Sequence, residues 1–582
     1  MKADAHSTFI SEGTRGPGIV PPEGPGFAAG SPFSPLTPYE VFSSAPFTPG
    51  NAVESAVYFM PQYDGPLFRA SLTFGAGYVT GSTTTASYWG ESLFATLNPH
   101  LGSQLLPYRI VFPTHAGQDD GSAFVASILS GSIATRDGNA SLQAGWFNLH
   151  QSDGFVFTQP ALTSVPPEIA FATPETLGSG PPNLDWWQST NVLPLHGIDG
   201  FFKRGIATLE LADATLPSLP ETSARLEMAS LAIDHGEGTR YSADVLHVVT
   251  GGKPLAETVL YGSNPTIFVT PQGWLPVSTI GGQRQWIVGF RGAFHVSPSV
   301  DGVAEYGHST YGVDGANEAA GNYYHAGATK NVRRASFGAD VYRNEPYYAQ
   351  TLLPYGAPEN QWSIAWSWPG QWLKSNYQLI NDFPVNIDRQ GYRLTYALHG
   401  GSLEMKAVWG QFAQIAPITI SNAMRPGFVD GFFLPQLDVN ATLGRQQQYG
   451  LWTAWHSPLG DVALDYVNDA MRRPAAVSAP QDFVNYDAPE YVLSLSRKLG
   501  AATLGSVSYG RYAMRGSFAQ TFTNVDFAER MVVTGVEVQQ SRTTAALLSV
   551  RWGSFSGAPS IPFGPSPAWN GTLIVFEERL HT

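Results

Sequence analysis

Apolar and polar side chains alternate with a period of two along most of the chain. Tyr392, Leu394, Tyr396 and Leu398 take one parity, and Arg393, Thr395, Ala397 and His399 the other. After Gly400-Gly401, the residues Leu403, Met405, Ala407 and Trp409 alternate with Glu404, Lys406, Val408 and Gly410. Successive side chains of a strand point to opposite faces. The segment therefore reads as a β-hairpin with one apolar, aromatic face and one face that carries charge.

The same alternation recurs. Trp286, Val288, Phe290, Phe294 and Val296 oppose Gly289, Arg291, Ala293 and His295. Ala335, Phe337, Ala339 and Val341 oppose Ser336, Gly338, Asp340 and Tyr342. Val462, Leu464 and Tyr466 oppose Ala463 and Asp465, and Thr534, Val536 and Val538 oppose Gly535, Glu537 and Gln539. Ala546, Leu548, Val550 and Trp552 oppose Ser549, Arg551 and Gly553. Turn chemistry separates paired arms at Arg136-Asp137-Gly138-Asn139, His235-Gly236-Glu237-Gly238, Ser297-Pro298-Ser299, Ser457-Pro458-Leu459-Gly460, Lys498-Leu499-Gly500 and Ser541-Arg542. The phase slips near Leu226–Ile233 and is mixed over 501–512; a bulge accounts for either, and so does a wrong assignment. The arms are roughly 9–13 residues long, enough to cross a bilayer when tilted and longer than an ordinary soluble strand.

Between the hairpins lie long polar connections near 251–283, 344–389, 415–445, 470–487 and 555–568. Short turns on one rim and long loops on the other predict an all-β, transmembrane, antiparallel up-and-down β-barrel of roughly 18–22 strands. Residues 1–52 form a separate Pro/Gly-rich arm in this reading, extended or disordered, since Pro21-Pro22, Pro25, Pro32, Pro35, Pro38, Pro46 and Pro49 suit neither helix nor central strand. The barrel then spans 53–582. The Pro-, Gly- and Ser-rich stretch 150–198 is the candidate for a constriction loop folded into the pore.

Composition narrows the alternatives. Charged residues make up only 13% of the 582-residue chain, aromatic residues also 13%, and glycines number 61. A net charge of −14 argues against a nucleic-acid partner. The absence of cysteine excludes disulfides, thiolate metal sites and cysteine nucleophiles. No stretch approaches the ~18 consecutive apolar residues of a spanning helix, so a membrane would have to be crossed by strands. The start, Met1-Lys2-Ala3-Asp4-Ala5-His6, lacks the apolar core of a secretion leader.

From about residue 53 onward the chain resembles the porin-like outer-membrane β-barrels of diderm bacteria. The resemblance lies in the architecture, including Ser141-Leu142-Gln143-Ala144-Gly145-Trp146-Phe147 running into a long loop. It implies a bacterial outer-membrane location and passive diffusion of small hydrophilic solutes, without a cofactor or catalytic residue. The implied partners are membrane lipid, hydrophilic solutes or ions, and a second copy of the chain in a homo-oligomer. The last arm, Thr572–Leu580, departs from the pattern, because such barrels usually close on an aromatic residue and here Phe576 lies inside the arm.

Arg291, Asp340, Arg393, Glu404, Lys406, Asp465, Glu537 and Arg551 each sit between apolar neighbours of opposite parity. They are the candidate pore-lining residues, against a reading in which they are the wet face of a half-exposed sheet. Trp286, Tyr392, Tyr396, Trp409, Tyr449, Trp455 and Trp552 are the candidate aromatic girdles. Trp186, Trp187, Trp362, Trp366, Trp368 and Trp372 cluster in connections, where they pack loops together or stack on sugar rings. His295, His308 and His325 read as polar lining rather than metal ligands, and Asp119-Asp120 as a solvated turn rather than a calcium site. No nucleotide-binding loop, histidine pair at helical spacing or nucleophile elbow is present. The competing reading is a secreted, soluble β-rich protein that binds or degrades polysaccharide.

Overall fold

The structure is a computed structural model. It describes residues 2–15, 50–81, 121–147, 195–216, 222–236, 238–252, 267–270, 273–276, 283–313, 319–346, 348, 389–416, 442–475, 484–518, 525–541, 543–559 and 569–581. Those residues form strands and the turns between them. In chain order the strands are β1 (Lys2–Arg15), β2 (Gly50–Met60), β3 (Gln62–Asp64), β4 (Phe68–Gly81), β5 (Gly121–Thr135), β6 (Ala140–Phe147), β7 (Leu195–Arg204) and β8 (Ala207–Leu216). Next come β9 (Thr222–Gly236), β10 (Thr239–Gly252), β11 (Ile267–Thr270), β12 (Gly273–Pro276), β13 (Gln283–Ser297), β14 (Val300–Val313), β15 (Ala319–Val332) and β16 (Ala335–Asn344). The last nine are β17 (Arg389–Leu398), β18 (Leu403–Gln414), β19 (Arg445–Ser457), β20 (Gly460–Arg473), β21 (Val484–Gly500), β22 (Thr503–Phe518), β23 (Val525–Gln539), β24 (Thr544–Pro559) and β25 (Trp569–His581).

β11 and β12 pair only with each other; the rest make one 23-stranded antiparallel sheet. β2 and β3 are a single arm interrupted at Pro61, because both pair with β4 in one continuous register, Phe59 with Phe74 and Gln62 with Ser71. Proline has no amide hydrogen to donate, but its carbonyl still accepts from the Leu72 amide at 3.1 Å. Counted this way the sheet has 22 arms. Each arm pairs with its neighbour in sequence, and β1 pairs with β2 on one side and with β25 on the other. The run of pairings therefore returns to its start, and the architecture is an up-and-down antiparallel β-barrel.

That pairing corrects the reading of residues 1–52 as one Pro/Gly-rich arm, since residues 2–15 are a barrel strand. The reason is local: the prolines begin at Pro17, and residues 2–12 contain neither Pro nor Gly. Residues 16–49 lie outside the described residues. So does 150–194 of the stretch read as a constriction loop, whose final residues, Leu195–Ile198, belong to β7. Asp119-Asp120 and the tryptophans at 186, 187, 362, 366, 368 and 372 also lie outside.

Short turns join β3 to β4, β5 to β6, β7 to β8, β9 to β10 and every odd–even pair from β13–β14 to β23–β24. In an up-and-down ladder they must share one rim, and the longer connections the other. Gly400 and Gly401 take φ of 77° and 95°, Gly138 takes 72°, and among the described residues Arg333 is the non-glycine residue with positive φ, at 54°. Asp137 closes its turn by accepting from the Thr135 hydroxyl at 2.6 Å and from the Asn139 amide nitrogen at 3.1 Å. These bonds hold its carboxyl below the usual carboxylate range.

Burial assigns the two faces. On β13, Gln285, Ile287 and Gly289 are covered while Trp286 and Phe290 are exposed. On β17, Arg393 is covered and Leu394 exposed; on β16, Tyr342 is 3% and Val341 57% exposed. Side chains on the concave face of a ring converge and shield one another, so the covered parity faces inward. The outward parity presents Phe290, Val341, Leu394, Leu464, Leu493, Leu548, Val550 and Phe576, all exposed. A soluble protein rarely exposes so extensive an apolar surface. Polar inside and apolar outside is the polarity of an outer-membrane barrel.

The phase slip at Leu226–Ile233 is not a bulge, because β9 pairs with β8 in unbroken register there. Instead the apolar residues change face. Leu226 and Met228 point inward beside Leu246, Val248 and Ile287, all buried, while Leu231 points outward. Over 503–512 the pairing with β23 is likewise regular.

Candidate functional site on the inner wall

Hydrogen-bond register brings a set of inward side chains into one row across β13–β17. Arg291 pairs with Glu305, Glu305 with His325, His325 with Tyr342, and Asp340 with Arg393. Each stands at an inward position because the period of two on every arm is in phase with its neighbours.

The row is joined by polar contacts. The Arg291 Nε lies 3.1 Å from Glu305 Oε1. His325 lies between two carboxylates, its Nδ1 2.8 Å from Glu305 Oε2 and its Nε2 3.0 Å from Asp340 Oδ1. The imidazole stacks on Tyr342 with ring centres 4.5 Å apart and planes 2° from parallel. The Arg393 guanidinium carbon stands over the Tyr342 ring, 5.5 Å from its centroid, a cation–π arrangement. Tyr348, just beyond β16, is fully covered and stacks on Tyr323 at 5.5 Å.

Glycines make room for this row. A Cβ at Gly327 would overlap the Asp340 carboxylate, and one at Gly307 the Tyr348 hydroxyl. These close approaches explain why the inward parity of β14 and β15 carries small residues between its functional ones.

Two guanidiniums face two carboxylates, with an imidazole between the acids. Fixed opposing charges along a wall orient a polar solute and impose a local field. Among the described residues, no group of three or more His, Asp or Glu side chains is placed to hold a metal ion. The histidines at 295, 308 and 325 do not converge: His308 is on the outward parity beside Asn322 at 2.9 Å, and His295 pairs with Asp301 near the short turn.

Of the residues marked from sequence, the structure brings together Arg291, Asp340 and Arg393. Glu404 and Lys406 share the inward parity of Val408 on β18, nearer the short turn. Asp465, Glu537 and Arg551 lie in β20, β23 and β24, with side chains outside the described residues. Glu305, Tyr323, Tyr342 and Tyr348 escaped notice as site residues. Glu305 and Tyr323 sit on arms whose alternation glycines blur, namely Gly302 and Gly307 on β14 and Gly321 and Gly327 on β15. The alternation around Glu305, with Ala304 and Tyr306 on the other parity, was the available signal.

The seven girdle candidates fall on the outward parity. Trp286, Trp455 and Trp552 are exposed. Tyr392 meets Trp409 edge to face at 5.5 Å, and Tyr396 packs on Phe337 at 5.0 Å. Tyr449 pairs in register with Trp409. Tyr396 and Trp455 lie near the short-turn ends of their arms; Trp286, Tyr392, Trp409, Tyr449 and Trp552 lie farther toward the other rim.

No protein-family model matches the chain, and no curated protein matches it in sequence. Among solved structures it is similar to the P pilus usher (PapC) translocation pore, with a TM-score of 0.36, 8% identity, and coverage of 100% of this chain and 99% of that one. It is also similar to OpdK of Pseudomonas aeruginosa crystallised with vanillate, with a TM-score of 0.37, 8% identity, and coverage of 100% and 98%. OmpT, an outer membrane protein of Vibrio cholerae, is similar over 66% of this chain and 99% of its own, at 0.29 and 10% identity. Likeness this distant gives no residue correspondence, and the assignment of an outer-membrane type of barrel rests on this chain's own strand pairing and polarity.

Proposed function

We propose that the chain is a passive channel of the bacterial outer membrane for small hydrophilic solutes. The observation that carries the reading is the opposed polarity of the two faces. Arg291, Glu305, His325, Asp340 and Arg393 point inward, whereas Phe290, Val341 and Leu394 point outward from the same strands. A soluble sheet would need a second protein layer over the outward face; hydrocarbon meets that need in a bilayer. Most arms run 10 to 17 residues, and about 9–11 tilted residues cross the hydrocarbon core.

The test is reconstitution. Purified protein added to a planar bilayer should give stepwise conductance, and vesicles carrying it should swell in small sugars. Protein that stays monomeric in buffer without detergent, or that inserts and gives no conductance, would defeat the reading.

A further inference from the structure

The geometry points to a binding site for a lipid headgroup that carries a phosphate monoester and free hydroxyl groups, on the outward face of β16–β21, near the rim of the longer connections. The inference rests on the membrane reading above. A groove of about 900 Å³ lies there. Its floor follows one register row: Val341 pairs with Tyr392, Tyr392 with Gln411, Gln411 with Gln447, Gln447 with Ala470, and Ala470 with Asp487. These residues share the parity of the exposed Leu394 and Leu464, so the row faces outward.

The groove breaks the apolar pattern of that face. Arg445 and Arg472 line it and are direct cross-strand partners. Like charges placed directly opposite on one face of a sheet repel. Asp487 accepts from Arg472 Nη2 at 2.7 Å, which offsets one of the two; Arg445 is exposed and makes no ion pair among the described residues. An anion seated between the two guanidiniums would remove the repulsion, and a phosphate matches their planar donors.

The neighbours extend the match beyond phosphate. Gln411 accepts from the Tyr392 hydroxyl and Gln447 from the Tyr449 hydroxyl, each at 2.8 Å, leaving the amide nitrogens as donors along the groove. Donors and acceptors beside a cationic pair suit the hydroxyl groups of a phosphorylated headgroup. Tyr392, Trp409 and Tyr449 lie on the membrane side of Arg445 and Arg472, where interfacial aromatic rings mark the headgroup level. This placement selects a lipid phosphate over a free one.

The experiment compares the full-length chain with its R445Q/R472Q variant, each folded in detergent with phosphatidylcholine and monophosphoryl lipid A, then exchanged into lipid-free detergent. Lipid retained per chain is read by native mass spectrometry. Wild type should retain lipid A about tenfold more than the double variant, the loss expected when charge-assisted bonds to phosphate are removed. Substituting Arg225, on the same face but already paired with Asp213 at 2.6 Å, should leave retention unchanged. Equal retention by wild type and the double variant would overturn the site, as would displacement of the lipid by millimolar inorganic phosphate. Should the double variant fail to show the folded gel mobility, R445K replaces it: it keeps the charge, loses the fork of donors, and should retain less lipid A than wild type. Failure of wild type to retain any lipid would count against the membrane reading itself; retention of phosphatidylcholine alone would defeat only the headgroup site.

Discussion

The imidazole of His325 separates the carboxylates of Glu305 and Asp340, at 2.8 Å from one and 3.0 Å from the other. Its replacement by leucine leaves two inward acids without their shared polar partner. His325→Leu should lower unfolding stability by about 1–3 kcal/mol, the usual cost of stranding a covered polar partner. The urea midpoint of the folded-to-unfolded gel shift measures it; an unchanged midpoint would mean that the bridge contributes nothing.

Charge on the row should set ion preference. Arg393→Gln removes a cation from the inner wall and should move the reversal potential in a salt gradient toward cations. Asp340→Asn should move it the other way. Shifts of the same sign, or none, would place these residues away from the ion path.

Adjacent positions on β17 test which medium touches each face. Leu394 is exposed on the outward parity and Thr395 lies on the inward one. Leu394→Arg should cost about 2–4 kcal/mol in a bilayer, whereas Thr395→Arg should cost far less and alter conductance instead. Equal costs would argue that both faces meet water or protein.

This face assignment was legible in the sequence wherever alternation was clean. Trp286, Phe290 and Val341 were placed correctly by parity, as were the turns at Gly400-Gly401 and Gly138. What escaped was information that parity does not hold. Pairing of β1 with β25 joins opposite ends of the chain, and no local pattern around Lys2–Arg15 announces a distant partner. The turns at Gly205 and at Arg333 were also missed, the second because positive φ was adopted by a residue type that does not signal it. The inward apolar patch at Leu226, Met228 and Leu246 read as an error in phase, since a wall was expected to be polar throughout. The row from Arg291 to Arg393 needed cross-strand register, which single-arm periodicity leaves undetermined.

Removing residues 2–15 should leave β2 and β25 each with an unpaired edge. Unpaired edges invite association with other chains. The truncated protein should lose the heat-modifiable gel band and aggregate on refolding from urea, as monitored by light scattering. A truncated form that folds and conducts like wild type would show that β1 is dispensable.

Gly307→Ala places a methyl group where the Tyr348 hydroxyl sits. Overpacking of this kind costs about 1–3 kcal/mol. Pairing the change with Tyr348→Phe, which removes that hydroxyl, should recover part of the loss in the same urea titration. No recovery would mean that the strain falls elsewhere.

The in-phase register of these strands has a consequence for how the gene can change length. Gaining or losing one codon inside an arm would turn every later side chain of that arm around, sending a group such as Arg393 into hydrocarbon and Leu394 toward water. Indels within arms should therefore survive only in pairs, whereas the connections on the long-loop rim are free to grow or shrink by any number. Random single-codon deletion libraries scored for export would show the difference as a comb of intolerance laid over the wall and absent from the loops.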